Sequence, residues 1–155
     1  MIEIISNSEN ETRDIAKQLG FILSAGDVVC IHGNLGAGKT VFASGLSIGL
    51  GINEHISSPT FTIVNEYNGR LPFYHFDAYR INSDEFLDIG GDEYFYGDGI
   101  TLIEWPENIG DILPAQRLEI YIDYAGDKVE TRKISFKPLG QKYELIANKL
   151  LEEIK

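Results

Sequence analysis

Gly33-Asn34-Leu35-Gly36-Ala37-Gly38-Lys39-Thr40 carries the pattern G-x-x-x-x-G-K-[ST]. Every residue type in that pattern has a task in holding a polyphosphate. Glycines let the backbone turn tightly and bring several N–H groups against phosphate oxygens with no Cβ between them. The helix that must follow adds the partial positive charge of its N-terminus at the same point. Lys39 is placed to reach the β- and γ-phosphates, and the Thr40 hydroxyl to coordinate Mg²⁺. The chemistry implied is binding of a nucleoside triphosphate. What the energy is used for is left open by the loop itself.

A nucleotide hydrolase also needs a carboxylate near the metal, usually at the end of an apolar strand. Glu104 follows Ile100-Thr101-Leu102-Ile103, a core-like run, and is preferred for the metal shell. Asp77 follows the less uniformly apolar Leu71 to Phe76 and is a candidate for orienting water or a switch segment. Ser58-Pro59-Thr60 stands where many nucleotide hydrolases keep a threonine that senses the γ-phosphate; a turn entering a strand is the plainer reading. Trp105 is read as core or interface. His32, His55 and His75 lack the paired Cys/His spacing of a metal site, so structural roles are their default. Arg70 and Arg80 are candidates for stabilising transferring phosphate, although surface ion pairing is the commoner fate.

The elements that must position these residues are legible around them. Val28 to Ile31 reads as a buried strand feeding the loop. Val41 to Leu50 places Phe42, Leu46 and Leu50 on one helix face, with Gly51 as the C-cap. Ile2 to Ile4 suggests a first strand, and Ser8 to Glu11 a capping box before a helix bearing Ile15, Ala16 and Leu19. Thr60 to Tyr67 and Leu71 to Asp77 form a hairpin around Asn68-Gly69. An acidic stretch, Asn82 to Asp98, holds one short helix and an irregular loop, and its Gly90-Gly91-Asp92 segment suggests mobility. Leu118 to Asp123 and Val129 to Phe136 flank a turn at Gly126-Asp127, and a last helix runs from Gln141 to Ile154. The architecture expected is an α/β fold with a mixed β-sheet flanked by helices, as in phosphate-loop NTPases.

The 155 residues suit a single domain, 1–155, able to bury a sizeable core. There are 24 Asp and Glu against 13 Lys and Arg, a net charge of −11. Nucleic-acid affinity rests largely on Lys and Arg neutralising phosphates, so an autonomous DNA or RNA binder is disfavoured. No apolar stretch is long enough for a bilayer and no signal peptide stands at the start, so no membrane role is expected. The lone Cys30 lies in the apolar strand as a small core residue, and a reducing cytoplasm fits.

Four blocks in order along the chain resemble the bacterial TsaE (YjeE) family. They are Gly33 to Thr40, Ser58-Pro59-Thr60-Phe61-Thr62-Ile63-Val64-Asn65-Glu66-Tyr67, Tyr74-His75-Phe76-Asp77-Ala78-Tyr79-Arg80 and Leu102-Ile103-Glu104-Trp105-Pro106. Each later block is weak alone; their order makes the resemblance specific. It implies a weak, Mg²⁺-dependent ATPase required for threonylcarbamoyladenosine on tRNA. The partner implied is the TsaB–TsaD complex, with tRNA met only indirectly. By position, Lys39 binds phosphate, Thr40 and Glu104 hold Mg²⁺, and Asp77 and Trp105 are needed for activity. Ser58 and Thr60 fall in a switch-like segment. ATP contacts are implied at Gly33, Leu35, Gly36, Ala37, Gly38, Lys39, Thr40 and Val41, with the adenine near the first helix and Asn10 as the residue there. Two departures stand out: Asn34 where the family usually has Asp, and Val41 where it usually has a second Thr. The missing hydroxyl predicts weaker nucleotide binding than in relatives, by up to about 1.5–3 kcal/mol. A stand-alone small-molecule kinase shares the same loop, but the five arginines are scattered and no lid insertion is visible. A nucleotide-gated module with negligible hydrolysis would need the same residues as the ATPase.

Overall fold

The computed structural model describes residues 1–34, 36–56 and 63–154. Seven strands form one mixed sheet in the order β1-β7-β6-β2-β5-β4-β3. They are β1 (Ile2–Ser6), β2 (Val28–His32), β3 (Val64–Asn68), β4 (Pro72–Asp77), β5 (Ile100–Glu104), β6 (Arg117–Tyr124) and β7 (Arg132–Leu139). The middle of the sheet, β6-β2-β5-β4, is parallel, while β7, β1 and β3 join antiparallel toward the edges. Parallel strands covered on both faces read as continuous apolar runs rather than alternating ones, as Val28 to Ile31 and Ile100 to Ile103 do. The expected α/β architecture is the one observed.

One face is covered by α1 (Glu9–Ile22), α2 (Lys39–Gly49) and α4 (Gln141–Glu153). The larger core lies there, and it joins Ile15 and Leu19 of α1 to Phe42 and Leu46 of α2, Val29 and Ile31 of β2, Leu102 of β5 and Tyr143 and Leu150 of α4. The other face is covered by α3 (Ser83–Asp88) and two 3₁₀ turns, Gly91–Tyr94 and Pro106–Ile112, over Val28, Cys30, Phe76 and Ile103. Phe42, Leu46 and Leu50 are all buried, as the helical spacing requires. Gly51 follows with φ +77, the left-handed turn that ends the helix.

Several local expectations change in detail. Ser8 caps α1 by accepting from Glu11 N, but the Glu11 carboxylate accepts from Asn7 N rather than closing back on Ser8. The reciprocal capping box is instead at Asn82 and Glu85, before α3. Asn68 pairs with Pro72, so the β3–β4 connection spans three residues rather than a two-residue Asn-Gly turn. β7 starts at Arg132, three residues later than the alternation suggested. The Gly90-Gly91 pair has a packing reason that the sequence does not show: Gly90 ends α3 with φ +75, and a Cβ on Gly91 would strike the Phe86 ring. Part of the strand expected from Thr60 lies outside the described residues, as do Leu35, Ser58 and Thr60. Among the described residues, no helix is long and apolar enough to cross a membrane.

Candidate active site

β2 ends at His32 and the chain turns directly into the glycine loop, so the loop sits at the C-terminal edge of the parallel strands. Gly36 and Gly38 hold φ values of +82 and +114, which only glycine adopts without strain. A Cβ on Gly33 would approach Ile122 O to 3.0 Å, so this glycine is also where two backbones come close. Gly38 caps α2 with no side-chain hydrogen bond, and the first turn of α2 carries no acidic residue. An uncapped helix start with glycines before it is a ready anion site.

Lys39 is the first residue of α2 and is only 6 % exposed. Its Nζ lies 4.0 Å from the centre of the Trp105 ring, a cation–π contact. Trp105 follows β5 with φ 57 and ψ 48 and precedes Pro106. A proline disfavours the right-handed helical region for the residue before it, and here the left-handed turn swings the chain from β5 into the next element. Tyr79, 57 % exposed, packs its ring 5.0 Å from that of Trp105. Asn108 donates to the carbonyls of Ala78 and Tyr79 at 2.8 and 3.1 Å, holding the chain just after β4.

Sheet register joins the two competing carboxylates. Asp77 and Glu104 are the last residues of β4 and β5 and stand directly opposite each other. Ala78 N donates to Glu104 O at 3.0 Å, which locks the two strand ends together. Burial, reinforced by the Glu104 charge, pushes the Asp77 carboxyl above its ordinary value. The hydrogen bond from Tyr79 N and the positive charge of Lys39 oppose that shift without cancelling it. Glu104 is 5 % exposed and bound to His75. Among the described residues no group of three or more His, Cys, Asp or Glu is arranged to hold a metal. Mg²⁺ is a cation that usually keeps waters and phosphate oxygens and takes one or two protein ligands, so one carboxylate and one hydroxyl fit its needs.

Other sequence candidates lie on α1, on α2 and in the β3–β4 connection. Thr40 is exposed at the start of α2 and Val41 is half-buried beside it. Asn10 is exposed in the first turn of α1, where its amide oxygen accepts from Arg13 at 2.8 Å. Arg70 donates to the carbonyls of Gly20 and Leu23 at 2.6 and 3.0 Å, so it caps the end of α1 rather than meeting phosphate. Cys30 is buried with its thiol pushed up by burial, which keeps it unreactive.

The loop has braces that no sequence pattern announced. Arg132 Nε donates to Ala37 O at 2.7 Å, and Tyr124 OH donates to Gly36 O at 3.1 Å. The Arg132 guanidinium lies 4.2 Å from the centre of the Tyr124 ring. On the other side of β2, His32 binds Glu119 and, at 3.2 Å, Glu107, while its ring stacks on Tyr121 at 4.4 Å. Burial alone would raise the Glu119 carboxyl; hydrogen bonds from His32 and Arg117 outweigh it and hold the group below its ordinary value.

The family model described as threonylcarbamoyl adenosine biosynthesis protein TsaE matches residues 6–134. A tRNA threonylcarbamoyladenosine biosynthesis protein TsaE from Bacillus subtilis is 48% identical over 141 residues, covering 90% of this chain and 87% of that one. Its namesake from Treponema pallidum is 44% identical over 124 residues, covering 79% and 92%. The crystal structure of Bacillus subtilis YdiB superposes with a TM-score of 0.84 at 39% identity, covering 99% of this chain and 96% of that one.

Proposed function

The chain belongs to the TsaE family, and on that premise we propose that it is a Mg²⁺-dependent ATPase of low intrinsic rate that supports threonylcarbamoyladenosine formation on tRNA. It acts with the TsaB–TsaD complex in the cytoplasm and meets tRNA through those partners. The observation that carries the reading is the meeting of Lys39, at the uncapped start of α2, with the edge of the sheet where Asp77 and Glu104 end paired strands.

The residues divide the work by their chemistry. Loop N–H groups from Gly33 to Thr40, with the start of α2, bind the phosphates, and Lys39 neutralises charge on them. That task requires Nζ to leave the Trp105 ring for phosphate oxygens, so ATP competes with the cation–π contact. Thr40 and Glu104 would hold Mg²⁺, which supplies charge neutralisation at the β- and γ-phosphate oxygens when bound. Asp77 orients the attacking water; a carboxylate raised above its ordinary value is a better proton acceptor than a free one. Trp105 and the exposed Tyr79 form an aromatic surface next to Lys39 through which a partner can register the nucleotide.

The test is steady-state Mg²⁺–ATP hydrolysis by the purified chain, with and without TsaB–TsaD, using Lys39→Ala as the control. Partner stimulation that disappears in the control is expected. Loss of a charge-assisted contact of about 1.5–3 kcal/mol should lower nucleotide affinity roughly 10–150-fold. No response to the partners would overturn the reading, and a phosphorylated metabolite formed in their absence would favour the kinase alternative.

A further inference from the structure

His75 has no part in the chemistry assigned above, yet it occupies an expensive position. It is wholly buried (0 %), two residues before Asp77 in β4. Residues of a strand alternate between faces, so His75 and Asp77 share a face. The register sets His75 against Leu102 and Asp77 against Glu104, which places His75 diagonally across from Glu104 on that face. His75 Nε2 lies 2.6 Å from Glu104 Oε2. A carboxylate oxygen accepts, so Nε2 carries the ring hydrogen and donates it. Nδ1 is then an acceptor, and among the described residues it meets no partner. Leaving a buried polar atom unpaired costs on the order of 1–3 kcal/mol. Phe73 stacks on the ring at 6.0 Å, and an apolar side chain at this position would carry no such unpaired atom. What it could not supply is the donor.

From this pairing we propose that His75 is a positioning residue for Glu104. Its Nε2–H commits Oε2 of that carboxylate and holds the side chain in one rotamer, so that Glu104 receives Mg²⁺ without first being ordered. A glutamate left unheld at a strand end would distribute among rotamers and lose that preorganisation. Partners that orient a metal-holding side chain are commonly worth 10–100-fold in metal affinity. The inference rests on the reading of Glu104 as a Mg²⁺-holding residue.

The experiment compares the parent chain with His75→Gln and His75→Asn. Glutamine extends its amide nitrogen to about the reach of Nε2, whereas the shorter asparagine leaves its nitrogen near the position of Nδ1. Each protein is loaded with N-methylanthraniloyl-ADP and titrated with Mg²⁺, the half-saturating concentration is read from fluorescence, and analogue binding is measured separately in EDTA. His75→Asn is expected to raise half-saturating Mg²⁺ roughly 10–100-fold, His75→Gln to stay close to the parent, and metal-free binding to be the same in all three. Thermal melts verify folding, and His75→Leu takes the place of the asparagine variant if that one does not fold. Equal shifts for glutamine and asparagine, no shift in either, or a loss of metal-free binding in step with the Mg²⁺ effect would overturn the positioning role. A parent chain with no Mg²⁺ response would remove the metal reading of Glu104 itself, and the His75 inference with it.

Discussion

At the scale of single residues, the site sets like charges against each other and offsets them only in part. Asp77 and Glu104 face each other across adjacent strand ends, and the Asp77 carboxyl is raised first by burial and then by its neighbour's charge. A group whose pKa is raised on folding binds more protons in the native state than in the unfolded chain. Stability therefore falls as pH rises from the ordinary carboxyl value through the raised one. Ionised Asp77 is thus a cost at neutral pH. Asp77→Asn should raise the thermal midpoint at pH 7 while abolishing turnover, and the gain should shrink as pH falls below the ordinary carboxyl value of about 3.9, where the parent's carboxyl becomes protonated in both states. Calorimetric melts at the two pH values check the sign. Glu104 and Asp77 were visible in the sequence because each closes an apolar strand, and Lys39 because it stands in the glycine-loop pattern. His75 was visible only as a strand histidine: its bond to Glu104 depends on which strand lies beside β4, and sequence spacing carries no strand register. Arg70 illustrates the converse, a plausible phosphate ligand whose hydrogen bonds turn out to finish α1.

At the scale of elements, the phosphate loop is held by what packs against α2 and by the β6–β7 hairpin. α1 and α2 approach closely through Gly20, Gly45 and Gly49: a Cβ on Gly20 would lie 2.6 Å from Leu46 O, and one on Gly45 would run into Arg13 O. Backbone atoms cannot yield as a side chain does, so Gly45→Ala must part the helices. A loss of about 1–3 kcal/mol is expected by urea denaturation, together with weaker ADP binding because α2 carries Lys39 and Thr40. On the other side, Arg132 holds Ala37 O and Tyr124 holds Gly36 O. Arg132→Ala is expected to weaken ADP binding by several-fold, since a hydrogen bond from a charged donor contributes about 1.5–3 kcal/mol when buried and this one is partly solvated; titration calorimetry reads the change. The helical periodicity of α2 was legible because its apolar stripe is a local pattern. The hairpin's role was not, since Arg132 and Ala37 are 95 residues apart in the chain.

At the scale of the whole molecule, net charge bears on what the surface can bind. A chain of net charge −11 repels the phosphate backbone of nucleic acid, so the purified protein alone should fail to retard tRNA in a gel at physiological ionic strength. Retardation that appears without partners would show a basic surface the charge balance hides. The sequence alone determined the glycine-rich turn, its flanking strand and helix, the α/β class and the family, because each rests on neighbours along the chain: glycine conformations, apolar period and ordered motifs. It also singled out both strand-end carboxylates, without ranking them securely. Tertiary structure alone decided that these two acids stand side by side, that Lys39 rests on Trp105, that His75 binds Glu104, and that Arg132 and Tyr124 grip the loop. Those contacts depend on strand order and register, which arise from burying two apolar faces of one sheet together and leave no mark in local spacing.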